Sequence, residues 1–461
     1  MRKFNIFTVF LISALIILSF GIPPASALSE PDIDAAAALL VETSSEKILY
    51  EHNKEGRVAP GSIAKVMTLL LAVSEVENGQ AALTDNITVS ETFLNGLPED
   101  APGQDIKPGE IMSYQDLMYC AFIASADDAC SILAETIGGS VAGFVRKMNE
   151  KAKELGCNNT RFRNPGGLPD PNQYTTAWDQ FLILKEAIGH PLFLQIAGTV
   201  SYTAKADEDS PERSLTNSNH MLRSGNPYYY SACIAGKTAS SIEYGSSLVT
   251  FAVSGDLSMI SVVFGVKAGG ADSGTDDDAC FSETIRLLEW GTSSFKWHDI
   301  VKQNEVVASE EINLAKGIGR IDLTPSKTIT VLARSDLAAD DIAREIVVYA
   351  EAEEKVLTAP IRKGDILGEM TVSINGAFAD KVKLVAAQDA ELDRGEFIKN
   401  EIRETLSIFW VQLVIVLVVL FIGFYIWLVI RDWRRRRARK RQMEEAKRRI
   451  IDERQRRMIR K

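Results

Sequence analysis

The chain has 461 residues, 46% of them hydrophobic, which is too apolar for a disordered chain and long enough for two domains. Its formal net charge of −11 is unevenly spread: residues 431–461 hold 16 Lys/Arg against five Asp/Glu, and the first 27 residues add +2. About −24 is left on the stretch between, which argues against nucleic acid as its partner.

Residues 1–27 read as a secretory signal peptide. Arg2 and Lys3 open it, residues 4–20 are mostly apolar, and Ala25-Ser26-Ala27 is a small-residue cleavage pattern. The alternative is an uncleaved anchor; Pro23-Pro24 before the A-x-A site favours cleavage after Ala27. Residues 35–42 and 47–50 form a strand pair turned by Ser44-Ser45.

Pro60-Gly61 then leads into Ser62-Ile63-Ala64-Lys65 and an apolar helical run, with helix predicted over 62–78. Three residues are nearly one helical turn, so Ser62 and Lys65 share a face. A serine hydroxyl becomes a nucleophile when a base takes its proton, and a desolvated lysine can be that base. Taken alone, the same four residues also fit a helix-capping serine and a solvated lysine.

Helices are predicted over 114–136 and 140–155, with Ser125-Ala126-Asp127 at a break in the first, and over 176–188. Residues 164–172 are a Pro/Gly-rich loop. Lys237-Thr238-Ala239 opens a strand region after Gly236, strands over 248–253 and 259–266 form a hairpin, and a helix covers 281–290. Strands from both ends of this region with helices between give an α/β layout with an antiparallel sheet.

Beyond residue 300 short strands recur over 305–307, 320–323, 328–332, 346–349, 370–374 and 381–385, with Asn375-Gly376 as a turn, which predicts a small all-β domain. Residues 391–407 are a charged linker. Residues 408–430 carry no charge and are long enough to span a bilayer. A buried core helix is the alternative. The basic flank favours a span with residues 431–461 cytoplasmic, continuing as a polar helix to Arg457. Contact of that tail with nucleic acid is the second reading, and contact with lipid the first.

The five cysteines, Cys120, Cys130, Cys157, Cys233 and Cys280, make no disulfide framework in a chain of this length. His52, His190, His220 and His298 show no ligand spacing, so neither a metal nor a cofactor is expected. A Ser-His-Asp triad stays open, although no G-x-S-x-G elbow accompanies it.

Ser62 to Lys65, Ser125 to Asp127 and Lys237 to Ala239 together approximate the S-x-x-K, S-x-N and K-T-G set of penicillin-interacting serine enzymes. From about residue 35 to 387 the chain resembles the serine D-alanyl-D-alanine carboxypeptidases, the low-molecular-weight penicillin-binding proteins. Ala59-Pro60-Gly61-Ser62, Asn164-Pro165, Gly167-Leu168-Pro169-Asp170 and Ala359-Pro360-Ile361 carry the likeness. The resemblance implies a penicillin-binding/β-lactamase-like transpeptidase domain over 28–298, a small β-sandwich domain over 299–390 and a C-terminal membrane attachment.

It also implies the site. Ser62 is the nucleophile, Lys65 its base and Ser125 a proton relay. Asp127, Lys237, Thr238 and Ala239 hold the substrate, a peptidoglycan stem peptide ending in D-Ala-D-Ala, and β-lactams are inhibitors. Two positions depart from the family pattern. Asp127 replaces an asparagine, and an ionised carboxylate there favours the ammonium form of Lys65; the alternatives are that Asp127 is itself protonated or that it pairs with Lys237. Ala239 replaces a glycine and crowds the strand beside which substrate lies. Three other readings compete: a class A β-lactamase, suggested by Glu91-Thr92-Phe93-Leu94-Asn95, an endopeptidase, and an inactive wall-binding or sensor protein on the same scaffold.

Overall fold

The structure is a computed structural model that describes residues 29–459, apart from 94, 205–210, 268–277 and 353–354. The expected signal peptide lies outside the described residues. The chain forms two compact units, residues 1–299 with 330–341, and residues 300–329 with 342–461.

The first unit is built on a five-stranded antiparallel sheet. Its strands are β1 (Ala37–Glu42) and β2 (Lys47–His52) from the start of the chain. Two short hairpins follow, β3 (Asn86–Thr88) with β4 (Ile111–Ser113), and β5 (Ser201–Ala204) with β6 (Arg213–Thr216). The sheet is then completed by β7 (Cys233–Ser241), β8 (Gly245–Ser254) and β9 (Leu257–Val266), in the order β2-β1-β9-β8-β7. The predicted turn between β1 and β2 has a chemical cause: the Glu42 carboxylate accepts from the backbone N–H and hydroxyl groups of both Ser44 and Ser45.

β1 shows why the sheet has helices on both faces. Ala37, Leu39 and Val41 enter one core with the helices between β2 and β7, whereas Ala38 and Leu40 enter another with Phe281, Leu287 and Trp290. Each side chain of leucine size buried this way contributes roughly 1.5–3 kcal/mol. The helices are α1 (Lys65–Glu77), α2 (Tyr114–Phe122), α3 (Asp127–Gly138), α4 (Val141–Glu154), α5 (Ala177–Ala187), α6 (Pro191–Ala197) and, on the far face, α7 (Ala279–Ser294). α1 is apolar nearly all round and runs through the core, as such helices do. Ser113, Ser140 and Thr176 cap α2, α4 and α5 by accepting from backbone N–H groups three residues on.

The helical stretch expected over 114–136 with a break at Ser125-Ala126-Asp127 is two helices, separated by residues 123–126, where Ser125 takes φ 59°. Residues 62–64 form a 3₁₀ turn before α1. Helix α6 and the β3–β4 and β5–β6 hairpin strands are too short, at three to seven residues each, for a periodicity to announce them.

The second unit holds most of the C-terminal strands. β10 (Phe295–Val301) pairs with β13 (Ile329–Arg334). A six-stranded sheet runs in the order β14-β16-β17-β12-β11-β15 from β11 (Ala308–Asn313), β12 (Arg320–Pro325), β14 (Ile342–Val348), β15 (Leu357–Thr358), β16 (Ile366–Ile374) and β17 (Ala377–Ala386). The turn between β16 and β17 is Asn375-Gly376, both at positive φ, as a tight hairpin demands. The strand expected over 305–307 falls instead at β11, whose ASEEIN sequence buries only Ile312 and so lacks an apolar alternation. The short helix α8 (Tyr349–Ala352) precedes β15.

Within the charged linker stretch, residues 394–407 form helix α9 (Arg394–Ser407), started by the Asp393 carboxylate accepting from Gly395 and Glu396 N–H. After a joint at Ile408 comes α10 (Phe409–Met458), one helix of 50 residues that joins the apolar segment to the basic tail without a break. It is long and apolar enough to cross a membrane by length and composition.

Arg213 and Glu110 pair at 2.7 Å in the first unit, both nearly sealed from solvent, and Arg213 also donates to the Gln104 carbonyl. Together they hold the segment 102–110 against β6. Arg213→Ala leaves a buried carboxylate unpaired and is expected to lower stability by about 3–5 kcal/mol, while a second change, Glu110→Met, recovers most of that loss. Chemical denaturation of the solubilised chain measures both.

Candidate active site

Three segments far apart in sequence meet around one amine. Lys65 Nζ lies 3.3 Å from Ser62 Oγ, donates to Asp127 Oδ1 at 2.6 Å and donates to the Gly166 carbonyl at 2.7 Å. Lys65 is 1% and Asp127 3% exposed, so the ion pair is desolvated and must satisfy its own hydrogen bonds. Three acceptors match the three N–H bonds of an ammonium.

Each partner is placed by local structure. The 3₁₀ turn Gly61–Ala64 sets Ser62 at the mouth of α1, one turn ahead of Lys65. Asp127 is the first residue of α3, and its N–H is bonded to the Pro102 carbonyl. Gly166 is held by the loop Asn164-Pro165-Gly166-Gly167. There Asn164 Oδ1 accepts from the N–H groups of Gly167 and Leu168, and the Pro165 carbonyl accepts from Thr68 on α1. Gly167 has φ 87°, and a β-carbon there would overlap the Gly61 carbonyl oxygen, so only glycine lets this loop close on the Ser62 turn.

β7 is the edge strand of the sheet and runs beside the same turn. Lys237 and Thr238 lie in mid-strand, not at its start, because β7 begins at Cys233. Lys237 is buried, lies over the Phe122 ring and is 3.5 Å from Ser218 Oγ, which is itself 2.7 Å from Thr238 Oγ1. Ser218 is a member of the site that sequence reasoning missed; it stands in Thr216-Asn217-Ser218-Asn219, a polar run with no motif spacing. The Ala239 methyl reaches over Gly61, the two positions being so close that a β-carbon on Gly61 would lie 3.0 Å from it. Ser125, half-buried, has no hydrogen-bond partner for its hydroxyl among the described residues.

A cleft of about 240 Å³ opens over Ser62, with Asp127, Gly167, Asp170, Ala239, Ser240 and Tyr244 among its walls. None of the four histidines lines it, and neither does Glu91, which is exposed; Leu94 of the E-x-x-L-N segment lies outside the described residues. The five cysteines are all buried.

The electrostatics are those of a small, dry cluster with two lysines and one carboxylate. Burial pushes the Asp127 carboxyl above its ordinary range, against the opposite pull of the Lys65 ammonium. Burial and then the like charge of Lys65 push the Lys237 ammonium down to about 7. Lys237 is thus poised to hold its charge only when an anion joins it.

The comparisons agree with this geometry. The family profile of D-alanyl-D-alanine carboxypeptidases matches residues 25–268, and that of the penicillin-binding protein 5 C-terminal domain matches residues 295–392. The chain is 30% identical over 364 residues to the D-alanyl-D-alanine carboxypeptidase DacF of Bacillus subtilis, covering 78% of this chain and 87% of that one. It is 28% identical over 373 residues to DacC of Escherichia coli, covering 78% and 85%. Among solved structures, penicillin-binding protein 5 of Haemophilus influenzae shares the fold with a TM-score of 0.57 at 24% identity, over 79% of this chain and 99% of that one.

The position of Lys237 gives a pH dependence with a definite sign. Its charge is present below about pH 7 and is lost above it, so the cleft's affinity for a carboxylate-bearing ligand falls as pH rises past 7. The limit is about tenfold per pH unit. Binding constants measured from pH 6 to 9 should show this fall for the carboxylate and not for its amide.

Proposed function

The chain belongs to the D-alanyl-D-alanine carboxypeptidase family, and we propose that Ser62 opens the bond between the two terminal D-alanines of a peptidoglycan stem peptide, with Lys65 as its base. The enzyme is a serine-type hydrolase of the cell wall whose fold also takes β-lactams. The observation that carries the assignment of Ser62 is the 3.3 Å approach of the buried Lys65 amine to its hydroxyl, beside an open sheet edge.

The stem peptide lies along β7. Its terminal carboxylate meets Lys237 and the Thr238 hydroxyl, a charge-assisted pair that also returns Lys237 to its ammonium form. Lys65, as the free amine, takes the Ser62 proton while Oγ bonds to the penultimate D-alanine carbonyl carbon. The oxygen that becomes negative faces the backbone N–H groups of Ser62 and Ala239, each such donor contributing about 2.7–4 kcal/mol. Ser125 passes its proton to the departing amine and is reprotonated by the Lys65 ammonium, so the terminal D-alanine leaves neutral at nitrogen and Lys65 returns to the free amine. Water then cleaves the ester and restores Ser62.

Asp127 sets the rate of the first step. Its carboxylate accepts from the Lys65 amine at 2.6 Å, a charge-assisted bond that must loosen before the amine can take a proton. Compared with an asparagine, it makes the site slower to start but leaves every reacting group in place.

The same reading divides the chain into a peptidase domain over 28–298, a β-rich positioning domain over 299–390 and a short connection over 391–407. A membrane span over 408–430 and a cytoplasmic basic tail over 431–461 complete it. The Lys/Arg excess on one side of the apolar helix supports that orientation, with the peptidase domain outside.

Ser62→Ala is expected to abolish covalent labelling by a fluorescent penicillin; label persisting on the same tryptic peptide refutes the assignment. Asp127→Asn is expected to raise the acylation rate at pH 7 by about tenfold, because the amide no longer holds the Lys65 amine in a charge-assisted bond. Stopped-flow acylation at pH 7 reads the effect, and an unchanged rate would show that Asp127 does not govern the base.

A further inference from the structure

The cleft over Ser62 does not end at Tyr244. It continues into a second cavity of about 470 Å³ that shares Ala59, Pro169, Asp170, Gln173, Tyr244 and Ser247 with the first. Lys237 is in the middle of β7 and lines neither cavity, whereas Ser240 and Ser241 at the C-terminal end of β7 line the first, next to the walls it shares with the second. A peptide bound with its terminal carboxylate at Lys237 therefore points its upstream residues into it.

The walls of this second cavity carry two charged residues, Arg57 and Asp170, of opposite sign. The Arg57 guanidinium is stacked 4.2 Å over the Tyr174 ring, and one of its N–H groups goes to Asn159 Oδ1 at 3.2 Å. It forms no ion pair with a carboxylate among the described residues, and stacking presents its remaining N–H fork edge-on. Asp170 is fixed by the Asn172 N–H at 2.7 Å on one oxygen and lies 3.6 Å from Arg163 on the other. The remaining walls are apolar or aromatic, chiefly Val58, Pro171, Phe264 and the two tyrosines. A cation fork and a carboxylate facing one small apolar-walled space are complementary to a group bearing both an amine and a carboxylate.

We propose that this cavity is a specificity subsite for the third residue of the stem peptide. It selects a side chain that ends in an amino-acid group, as in diaminopimelate, over one that ends in a lone amine, as in lysine. Arg57 takes the side-chain carboxylate in a bidentate pair and Asp170 takes the ammonium. A lysine-type side chain offers nothing to Arg57 and brings a like charge to it. The inference rests on the reading of Ser62 as the acylated residue of a carboxypeptidase.

The test uses the full chain in detergent and four pentapeptides, with diaminopimelate or lysine third and D-glutamate or D-isoglutamine second. The readout is the ratio of kcat/KM for D-alanine release between third-residue types, which a partly folded preparation does not alter. Expected is a preference of about tenfold or more for diaminopimelate, expressed in KM, whichever second residue is present. Arg57→Gln should bring that ratio close to one, and Asp170→Asn should reduce it. Equal use of both third residues by the wild type, a preference that follows the second residue, or an unchanged ratio in Arg57→Gln each overturns the subsite. If no peptide releases D-alanine, the carboxypeptidase reading fails; the same four peptides competing against penicillin labelling of Ser62 then still report the third-residue preference on its own.

Discussion

A buried amine tolerates no missing partner, and the first unit is arranged around that constraint at Lys65 Nζ. Leaving a charged group unpaired in so dry a position costs several kcal/mol, so its three acceptors must arrive together. They come from the Ser62 turn, from the first residue of α3 and from the carbonyl of Gly166. Much local structure follows from this requirement. The break between α2 and α3 turns Asp127 inward, the positive φ of Gly167 lets its loop close, and Asn164 stiffens that loop. The nucleophile is held by the same bonds that solve the burial problem, so stability and chemistry share one set of contacts.

The second cation explains the rest of the cleft. Lys237 sits in an edge strand that runs beside the Ser62 turn, and its amine donates to the Thr238 carbonyl at 3.2 Å and the Ser218 hydroxyl at 3.5 Å, above a phenyl ring, rather than to a carboxylate. The buried carboxylate between them, Asp127, is already committed to Lys65. Positive charge is therefore left without a local partner at the place where a substrate carboxylate belongs, and the site supplies attraction without prior neutralisation. With a neutral residue at 127 the two lysines would repel each other with no anion between them, so Asp127 also moderates that repulsion.

The sequence was informative where chemistry or periodicity is local. Ser62 and Lys65 are one turn apart, the 140–155 helix has a sharp apolar stripe, and Asn375-Gly376 dictates a hairpin by itself. Ser125, Asp127, Lys237 and Thr238 could be singled out because they fall in short motifs; of these, Asp127 bonds Lys65 and lines the cleft over Ser62. Ser218 could not, because its part depends on a contact with a residue 20 positions later. Nor could the role of the Gly166 carbonyl, since a backbone atom has no residue signature. Polar strands such as β11 and brief ones such as β6 escaped because tertiary pairing, not propensity, makes them. Charge density hid α9, whose helical state follows from an Asp393 cap that composition does not weigh.

The sheet order carries a consequence for how the enzyme comes into being. β1 is made first, yet it is an interior strand, paired on one side with β2 and on the other with β9, more than 200 residues later. Until β9 is present, half of the hydrogen-bonding edge of β1 is bare and the hydrophobic faces of the sheet are uncovered. Contacts of such sequence separation make folding slow and expose intermediates to aggregation. The reaction centre is subject to the same delay, because β7 reaches the sheet only through β8 and β9. A chain halted before residue 266 would contain the serine, both lysines and Asp127, and would still lack the scaffold that makes them an enzyme.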